Sequence, residues 1–207
     1  MNLGETGAPC SARAPAGRVL DRGHLAEASG QAIICLRRRR PTTALRKDVP
    51  LLRFVSPTLG NLSFDEMFAD IRRYVSEDPD GAYRLIVGTD SRAREEITFV
   101  SAVVIHRVGK GARYYYEKRK HKPLASLRQR IYYETALSLD LGGKIASRLA
   151  HDGWSNLDIE IHLDIGQEGA TRSMIREVVG MVTGSGFDAK IKPDSYGASA
   201  VADKHTK

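Results

Sequence analysis

The hydrophobic and polar positions follow regular patterns from residue 54 onward, and these patterns predict a series of helices and strands. Ser63 and Glu66 form a capping box before apolar residues at helical spacing, so we expect a helix that ends before Pro79. Three apolar runs separated by short connections follow, and they predict a meander of three strands. These runs occupy residues 83–90, 97–109 and 112–122.

The second half of the chain alternates between helical and strand patterns. A long helix is predicted from about Ser126 to Ala150, and residues 157–165 alternate strictly between apolar and polar side chains, as a strand does. A meander followed by helix-linked strands implies a mixed sheet, because helical crossovers normally join parallel neighbours. The remaining predicted elements are a helix over about 171–183, a strand over 187–192, and a last short helix over 195–205 with Ser195 as candidate cap.

The sequence therefore predicts an α/β fold with a mixed five-stranded sheet. We expect the first three strands to be antiparallel and the last two to run parallel to the first. Helices flank this sheet, and an N-terminal helix precedes it.

Charge divides the chain into a basic extension and a nearly neutral domain. Residues 1–53 carry ten Lys or Arg against four Asp or Glu, so residues 54–207 account for only +1 of the net charge of +7. The extension lacks a sustained apolar period, so we expect it to be disordered and residues 54–207 to form the domain. The four arginines at 37–40 either contact nucleic acid or belong to a solvated tail, and the extension could also reflect a start codon placed too far upstream.

The chain has no features of a membrane or secreted protein. Its longest apolar run near the start, 31–36, is too short to span a bilayer, and the first residues do not form a secretory signal. Both cysteines, Cys10 and Cys35, lie in the extension, so the domain has neither a disulfide nor a cysteine zinc site. We therefore expect a cytoplasmic protein, and the sequence leaves its oligomeric state open.

Most acids of the domain occupy turns or first helical turns, but four do not. Asp90 follows the apolar run of the first strand, Glu134 interrupts the buried stripe of the long helix, and Asp164 lies near the end of its strand. Asp203 lies in the last helix, and Asp194, just after the final strand, is an alternative to it. Each acid taken alone also has a structural explanation, such as a turn, a loop or an ion pair one helical turn away.

Together these acids predict a metal centre. Parallel strands present their carboxyl ends to one side of a sheet, so Asp90 and Asp164 would be neighbours that Glu134 could reach. Carboxylates this close repel one another unless a divalent cation neutralises them, and oxygen ligands suit Mg²⁺ or Mn²⁺. Such clusters usually serve phosphoryl chemistry. We expect the ligands and catalytic residues to be Asp90, Glu134, Asp164 and Asp203, with Asp194 as the rival for the last place.

A basic window suggests contact with nucleic acid. Between residues 107 and 130 the chain has nine Lys or Arg and one acid, Glu117, interleaved with the tyrosines at 114–116. Cations hold phosphates and tyrosines stack on bases, but lysines and arginines also protect edge strands, and both interpretations stay open. The predicted nucleic-acid contacts are Arg107, Lys110, Arg113, Lys118, Arg119, Lys120, Arg128 and Arg130.

His162 lies two residues before Asp164 and is expected to face the same way. It either assists in proton transfer or substrate binding, or it is a polar-face residue without a role.

The domain resembles the ribonuclease H-like superfamily, and most closely its YkuK family of uncharacterised bacterial proteins. The stretches that carry the resemblance are "FVSPTLGNLSF", "LIVGTDS", "VIHRVGKGARYYY", "SLRQRIYYET", "IHLDIG", "EVVGMVTGSGF" and "AKIKPDSYGASAVADKHTK". They cover nearly all of residues 54–207 and none of the extension. The resemblance implies metal ligation by Asp90, Glu134 and Asp164, with the fourth acid at Asp203 or Asp194.

Three functions remain compatible with the sequence. The first is a metal-dependent nuclease that hydrolyses phosphodiester bonds in RNA, a hybrid or another structured nucleic acid. The second is a nucleic-acid-binding module without turnover, and the third is a protein-interaction domain in which the acids bind only a structural ion. The superfamily contains inactive members and diverse substrates, so fold alone does not choose among them.

Overall fold

The computed structural model describes residues 53–154, 157–168 and 171–206. All of them belong to one compact unit, Lys47–Lys207. The predicted basic extension lies outside the described residues except for Arg53, so its disorder stays a prediction.

One mixed sheet organises the domain. It has seven strands in the order β2-β1-β5-β4-β3-β6-β7. The strands are β1 (Arg53–Ser56), β2 (Gly60–Ser63), β3 (Tyr83–Ala93), β4 (Ile97–Arg107), β5 (Gly111–His121), β6 (Ile159–His162) and β7 (Asp188–Lys190). The meander β3–β4–β5 is antiparallel, whereas β6 runs parallel to β3 and β7 parallel to β6, as predicted.

The predicted count of five strands is wrong because a short hairpin adds two more. β1 and β2 pair antiparallel, and β1 joins the edge of the meander where Val55 pairs with Tyr116. Each strand of this hairpin has four residues, which is too few to show an alternating pattern in the sequence. Gly60 forms its turn with a φ of 74°, a backbone conformation that favours glycine.

The helices begin and end near the predicted positions. α1 (Phe64–Ser76) starts at the capping box, in which Ser63 and Glu66 bond to each other's backbone. The long helix is α2 (Leu127–His151), and the third helical segment is a 3₁₀ turn (Arg172–Met174) that leads into α3 (Ile175–Gly184). The last helix is α4 (Tyr196–Thr206), but the Ser195 hydroxyl makes no hydrogen bond among the described residues, so it does not act as the expected cap.

The two faces of the sheet carry different helices. On one face Leu85 and Val87 of β3 belong to the main core, which includes buried residues of α1, α2 and α3. On the other face Ile86 packs in a smaller core with Ala198 and Ala202 of α4. Successive strand residues point to opposite faces, so even-numbered positions of β3 face α4.

Gly88 allows α4 to lie close to the sheet. A Cβ at this position would lie 2.7 Å from the carbonyl oxygen of His162 and 2.8 Å from the Cβ of Ala198. From this contact α4 extends toward β5, where the ring of His205 stacks on that of Tyr116 with centroids 3.8 Å apart. α4 therefore crosses this face of the sheet and divides it into two areas.

Candidate active site

Asp90 and Asp164 lie at matching positions on neighbouring parallel strands. Gly88 of β3 pairs with His162 of β6, and each aspartate follows its partner of that pair by two residues. Both aspartates therefore project toward the α4 face at the same end of the sheet, as the sequence predicted.

The pKa of Asp90 is raised to about 6, chiefly because its carboxyl group is partly buried. The neighbouring charges of Asp164 and Asp203 raise this pKa further, whereas a hydrogen bond from the Ser91 amide, 2.7 Å from Oδ1, opposes the shift. Asp164 and Asp203 therefore lie close enough to Asp90 for their charges to act on it.

Glu134 reaches the strand end from α2. Burial raises the pKa of its carboxyl group to about 8, with smaller contributions from Asp90 and Asp164. The Ser91 hydroxyl donates a hydrogen bond of 2.5 Å to Glu134 Oε1, and Arg130 Nε lies 3.8 Å from the same oxygen. The structure thus brings Glu134 close to the aspartates while also pairing it with Arg130, the structural alternative that the sequence allows.

The two rivals for the fourth position lie in different places. Asp203 of α4 raises the pKa of Asp90, so it lies within electrostatic reach of the site. Asp194 lines a separate cleft with Arg84, His106 and Tyr196. Of the two, Asp203 is the one that the fold brings to Asp90.

Lys192 is a member of this site that the sequence analysis missed. Its ammonium group lies 2.8 Å from Asp164 Oδ1, and this hydrogen bond, together with the charges of Asp164, Asp90 and Asp203, raises the pKa of the lysine. Lys192 follows β7, which runs parallel to β6, so the parallel-strand argument that paired Asp90 with Asp164 could have found it.

Hydroxyl groups beneath the acids hold β3, β4 and α2 in register. Thr89 bonds to Ser101 of β4 at 2.9 Å and accepts a hydrogen bond from Ser138 of α2 at 3.0 Å. These three side chains are buried, and together with Ser91 they fix the helix that carries Glu134 against the strand that carries Asp90. Their signal in the sequence is the run of hydroxyl residues around Asp90 in an otherwise apolar strand.

The donor chemistry of the acids fits a divalent cation, although the acids do not form a ready-made ligand set. Carboxylate oxygens are the ligands that Mg²⁺ and Mn²⁺ prefer, and burial raises the pKa values of Asp90 and Glu134, so a nearby cation would stabilise their charged forms. Among the described residues, however, no three His, Cys, Asp or Glu side chains lie close enough to hold a metal ion. Lys192 instead pairs with Asp164.

A cleft of about 810 Å³ opens beside Asp164. Its lining includes Lys192 and Thr171, together with the loop that follows Asp164. The cleft is large enough for several atoms of a substrate to approach Asp164.

His162 lies beneath α4 and does not join the acids. Its side chain is buried, its Nε2 lies 3.3 Å from Glu160, and its ring contacts Gly197 and Tyr196 of α4. Burial lowers the pKa of the imidazole. The structure shows no contact between His162 and Asp164, so a part for His162 in proton transfer at the acids gains no support.

Several predicted nucleic-acid contacts form ion pairs at the end of the sheet that lies away from the acids. Arg107 and Lys110 bond to acids after α1, and Arg113 bonds to Asp70 of α1 and to Glu77, which follows it. Arg107 pairs with Tyr83 in the sheet, seven residues before Asp90, a separation of about 23 Å along the strand. These three cations therefore form ion pairs at the α1 end of the fold.

The other predicted contacts lie nearer the acids but are also partly paired. Arg119 bonds to Glu117 at 2.9 Å, Lys120 to Glu96 at 3.2 Å, and Arg128 to Glu177 at 2.5 Å. Arg130 lies beside Glu134, as described above. In the described part of the chain, Lys118 is the one predicted contact that lies in no ion pair.

Lys118 belongs to a basic cluster on the α4 side of the sheet. It pairs with Val100, which in turn pairs with Asp90, so Lys118 lies in the same row of the sheet as that acid. Lys118 and Lys204 both lower the pKa of His205, after the effect of burial. We call Lys118, Lys204 and His205 the α4-side cluster, and Lys204 and His205 also contact Tyr114 of β5.

Comparisons with known proteins agree with this architecture. A family model described as "Ribonuclease H-like" matches residues 66–207. The chain is 34% identical over 168 residues to the "Uncharacterized protein YkuK" of Bacillus subtilis (strain 168), an alignment that covers 74% of this chain and 96% of that protein. No solved structure gives a significant match. No helix among the described residues is long and apolar enough to cross a membrane.

Proposed function

Because the chain belongs to the ribonuclease H-like family and is related to YkuK, we propose that it is a metal-dependent nuclease. Its substrate would be RNA, a hybrid or another structured nucleic acid, and it would act in the cytoplasm. The observation that carries the proposal is the matching position of Asp90 and Asp164 on parallel strands, with Asp203 in their electrostatic field.

Asp90, Glu134, Asp164 and Asp203 would hold one or two Mg²⁺ or Mn²⁺ ions. The raised pKa values of Asp90 and Glu134 support this assignment, because a divalent cation would stabilise the charged forms that burial disfavours. A bound ion would supply activation of a water molecule and stabilisation of the leaving oxygen.

Neighbouring side chains would orient or neutralise the carboxylates before a cation binds. Ser91 holds Glu134 through its hydroxyl and Asp90 through its amide, so one residue orients both acids. Lys192 neutralises Asp164 in the described structure and would release it when a cation binds. Its ammonium group, on a flexible and exposed side chain, would then be available to a phosphate oxygen in the adjoining cleft.

The α4-side cluster would hold the backbone of the substrate. Lys118 lies in the same row of the sheet as Asp90, and Lys204 and His205 lie on α4. Arg107, Lys110 and Arg113 are instead neutralised by acids in and after α1. The proposal therefore assigns Lys118 a larger part in binding than the other predicted cations.

A binding module without turnover is the alternative, and one observation favours it. The acids do not form a ligand set among the described residues, and Lys192 occupies Asp164. In this alternative the fold and the α4-side cluster bind nucleic acid, and the acids contribute only to structure.

Cleavage of a mixed nucleic-acid panel tests the proposal. The panel contains an RNA:DNA hybrid, single-stranded RNA, duplex DNA and branched DNA, each with Mg²⁺ or Mn²⁺ and with a chelator. The wild type is compared with Asp90→Asn and Glu134→Gln, and Asp140→Asn, at an exposed acid of α2 that pairs with Lys144, serves as the matched control. We expect metal-dependent cleavage by the wild type and the control, and a loss of at least about a hundredfold in the other two variants.

The outcome separates the two functions. Cleavage that survives Asp90→Asn would reject the carboxylate site. Binding to the panel without cleavage, unchanged by chelation and by both site variants, would favour the binding module.

A further inference from the structure

A second cleft lies on the same face of the sheet as the acids but on the other side of α4. Its volume is about 310 Å³, within the range of small-ligand sites. The lining residues are Arg84, Ile86, His106, Glu160, His162, Lys190, Asp194 and Tyr196.

The position of α4 separates this cleft from the candidate active site. Ala198 of α4 meets β3 at Gly88, Asp90 lies two residues beyond this contact, and Arg84 lies four residues before it. His106 pairs with Arg84 across β3 and β4, so it lies on the same side as Arg84. A ligand in this cleft would therefore not occupy the space around the acids.

Arg84 and Lys190 supply cations to the lining of the cleft, alongside the carboxylates of Glu160 and Asp194. Arg84 is half exposed and lies 3.7 Å from Glu160, so its pair is loose and its guanidinium keeps donors for another partner. Lys190 forms no ion pair within the described ranges, and its charge reaches His162. Glu160 lies within 4 Å of both Arg84 and His162.

The start of α4 adds further unsatisfied polar groups. The first amides of a helix favour an anion, because they lack partners within the helix. Ser195, at the position where a cap is expected, is 1% exposed, and its hydroxyl has no hydrogen-bond partner among the described residues. His162, which lines the cleft, is 2% exposed and bonds to Glu160 and to the backbone of Ser195.

Tyr196 gives the cleft a surface for an aromatic ring. It is 66% exposed, although large apolar side chains are usually covered, and its ring meets that of His162 edge-on with centroids 6.4 Å apart. Exposed tyrosines are stacking partners for nucleobases, whatever the base. Asp194 at the same cleft supplies a carboxylate that accepts hydrogen bonds from ribose hydroxyls or base amines.

We propose that this cleft binds one nucleoside monophosphate unit, with the phosphate at Arg84, Lys190 and the start of α4 and the base on Tyr196. The unit is either a free mononucleotide or the end of a nucleic-acid strand, since both present the same chemistry. The site does not depend on the nuclease function, because the assigned phosphate and base contacts, Arg84, Lys190 and Tyr196, are not proposed metal ligands.

Calorimetric titration of the full chain in the presence of a chelator tests the proposal. The ligands are AMP, GMP, CMP and UMP, with inorganic phosphate and adenosine as partial ligands and a 5′-phosphorylated tetranucleotide as the strand end. The variants are Arg84→Gln, Lys190→Gln and Tyr196→Ala. Arg72→Gln is the matched control, since Arg72 is similarly exposed and also forms an ion pair, with Asp152. Thermal unfolding of each variant checks that it folds.

We expect a mononucleotide or the tetranucleotide to bind, and each cleft variant to weaken that binding roughly tenfold while the control leaves it unchanged. Binding of mononucleotides identifies a free ligand, whereas binding of the tetranucleotide alone identifies a strand end. The proposal fails if neither ligand binds, if the cleft variants bind as well as the wild type, or if phosphate binds as tightly as the nucleotides. Because no metal is present, an inactive nuclease that still binds nucleotides would leave this inference intact.

Discussion

At the scale of single residues, Ser91 and Lys192 set the electrostatic state of the four candidate acids. Ser91 donates to Glu134 through its hydroxyl and to Asp90 through its amide, while Lys192 compensates Asp164. The pKa of Glu134 nevertheless rises to about 8, because the cost of burying its charge exceeds the stabilisation by Ser91 and Arg130. Ionisation of Glu134 therefore lowers the stability of the metal-free protein.

Glu134→Gln should stabilise the metal-free protein at alkaline pH. The pKa of Glu134 rises from 4.5 to about 8 on folding, so the native state holds a proton that the unfolded state has released over this range. Stability of the wild type therefore falls as pH rises from about 4.5 to 8, whereas glutamine cannot ionise. We expect the variant to gain about 3 kcal/mol in free energy of unfolding at pH 8 and little at pH 5, measured by urea denaturation with a chelator.

Glu66→Gln is the matched control for this experiment. Hydrogen bonds from Ser63 lower the pKa of Glu66, so its removal should destabilise the protein at high pH and matter less as the pH falls through that lowered pKa. A gain from Glu134→Gln that is equal at both pH values would contradict the ionisation of Glu134 as its cause.

Lys192→Met should raise the affinity of the proposed metal site while lowering the stability of the metal-free protein. Removing the ammonium group removes a repulsion toward a divalent cation and leaves Asp164 uncompensated. We expect Mn²⁺ to bind roughly fivefold more tightly, as measured by calorimetry, because one charge a few ångströms away contributes about 1 kcal/mol in a solvated site. Lys192→Arg keeps the charge and should bind Mn²⁺ like the wild type, whereas weaker binding by Lys192→Met would show that Lys192 does not compete with the cation.

At the scale of elements, α4 determines which residues of the sheet share a site. Its small residues allow close packing on β3 and β4, and Gly88 provides the space on the strand side. This contact holds Asp203 near Asp90 and leaves Asp194 on the far side of the helix, in the second cleft. One close helix–strand contact thus separates the two clefts of this face.

Gly88→Ala should destabilise the domain by about 2 kcal/mol, because overpacking a tight contact usually costs 1 to 3 kcal/mol. The new Cβ would lie 2.7 Å from a backbone oxygen of β6, which cannot move without disturbing the sheet. Gly143→Ala is the control, since a Cβ there meets nothing within 4 Å and alanine favours the helix. Urea denaturation should show opposite signs for the two variants, and equal stability of wild type and Gly88→Ala would show that α4 can shift freely.

At the scale of the whole molecule, charge is distributed so that cations at one end of the sheet are neutralised and those beside α4 are less so. Acids in and after α1 hold Arg107, Lys110 and Arg113, and cation–π contacts of Arg107 and Arg113 with Tyr74 add to this arrangement. The α4-side cluster lies on β5 and the second half of α4. Nucleic acid should therefore approach the domain from the α4 side.

Paired lysine variants test this direction of approach. Lys118→Gln and Lys204→Gln should each lower the slope of binding affinity against salt concentration by about one, because each lysine contacts about one phosphate. Lys110→Gln should leave the slope unchanged, since that lysine already pairs with Asp78 at 2.9 Å. Fluorescence anisotropy with a labelled oligonucleotide at several salt concentrations measures the slope. A larger effect of Lys110→Gln would show that nucleic acid binds the β4–β5 hairpin, as the sequence suggested.

The sequence predicted most of the elements, because their signals are local. The Ser63–Glu66 capping box, helical spacing and strand alternation located α1, α2 and the meander within a few residues, and the parallel-strand argument placed Asp90 next to Asp164. The hairpin β1–β2 was missed because four-residue strands carry no periodic signal. The family was predicted from sequence stretches and was confirmed by the comparisons.

The sequence by itself determined the fold class, the family and the candidate acids, since periodicity and residue type are properties of neighbouring positions in the chain. Only the tertiary structure decided which charges compensate one another. It paired Lys192 with Asp164, held Arg113 to Asp70, and brought Asp203 rather than Asp194 into the field of Asp90. These relationships depend on where helices cross the sheet, and such crossings join residues far apart in sequence, so no local pattern could specify them.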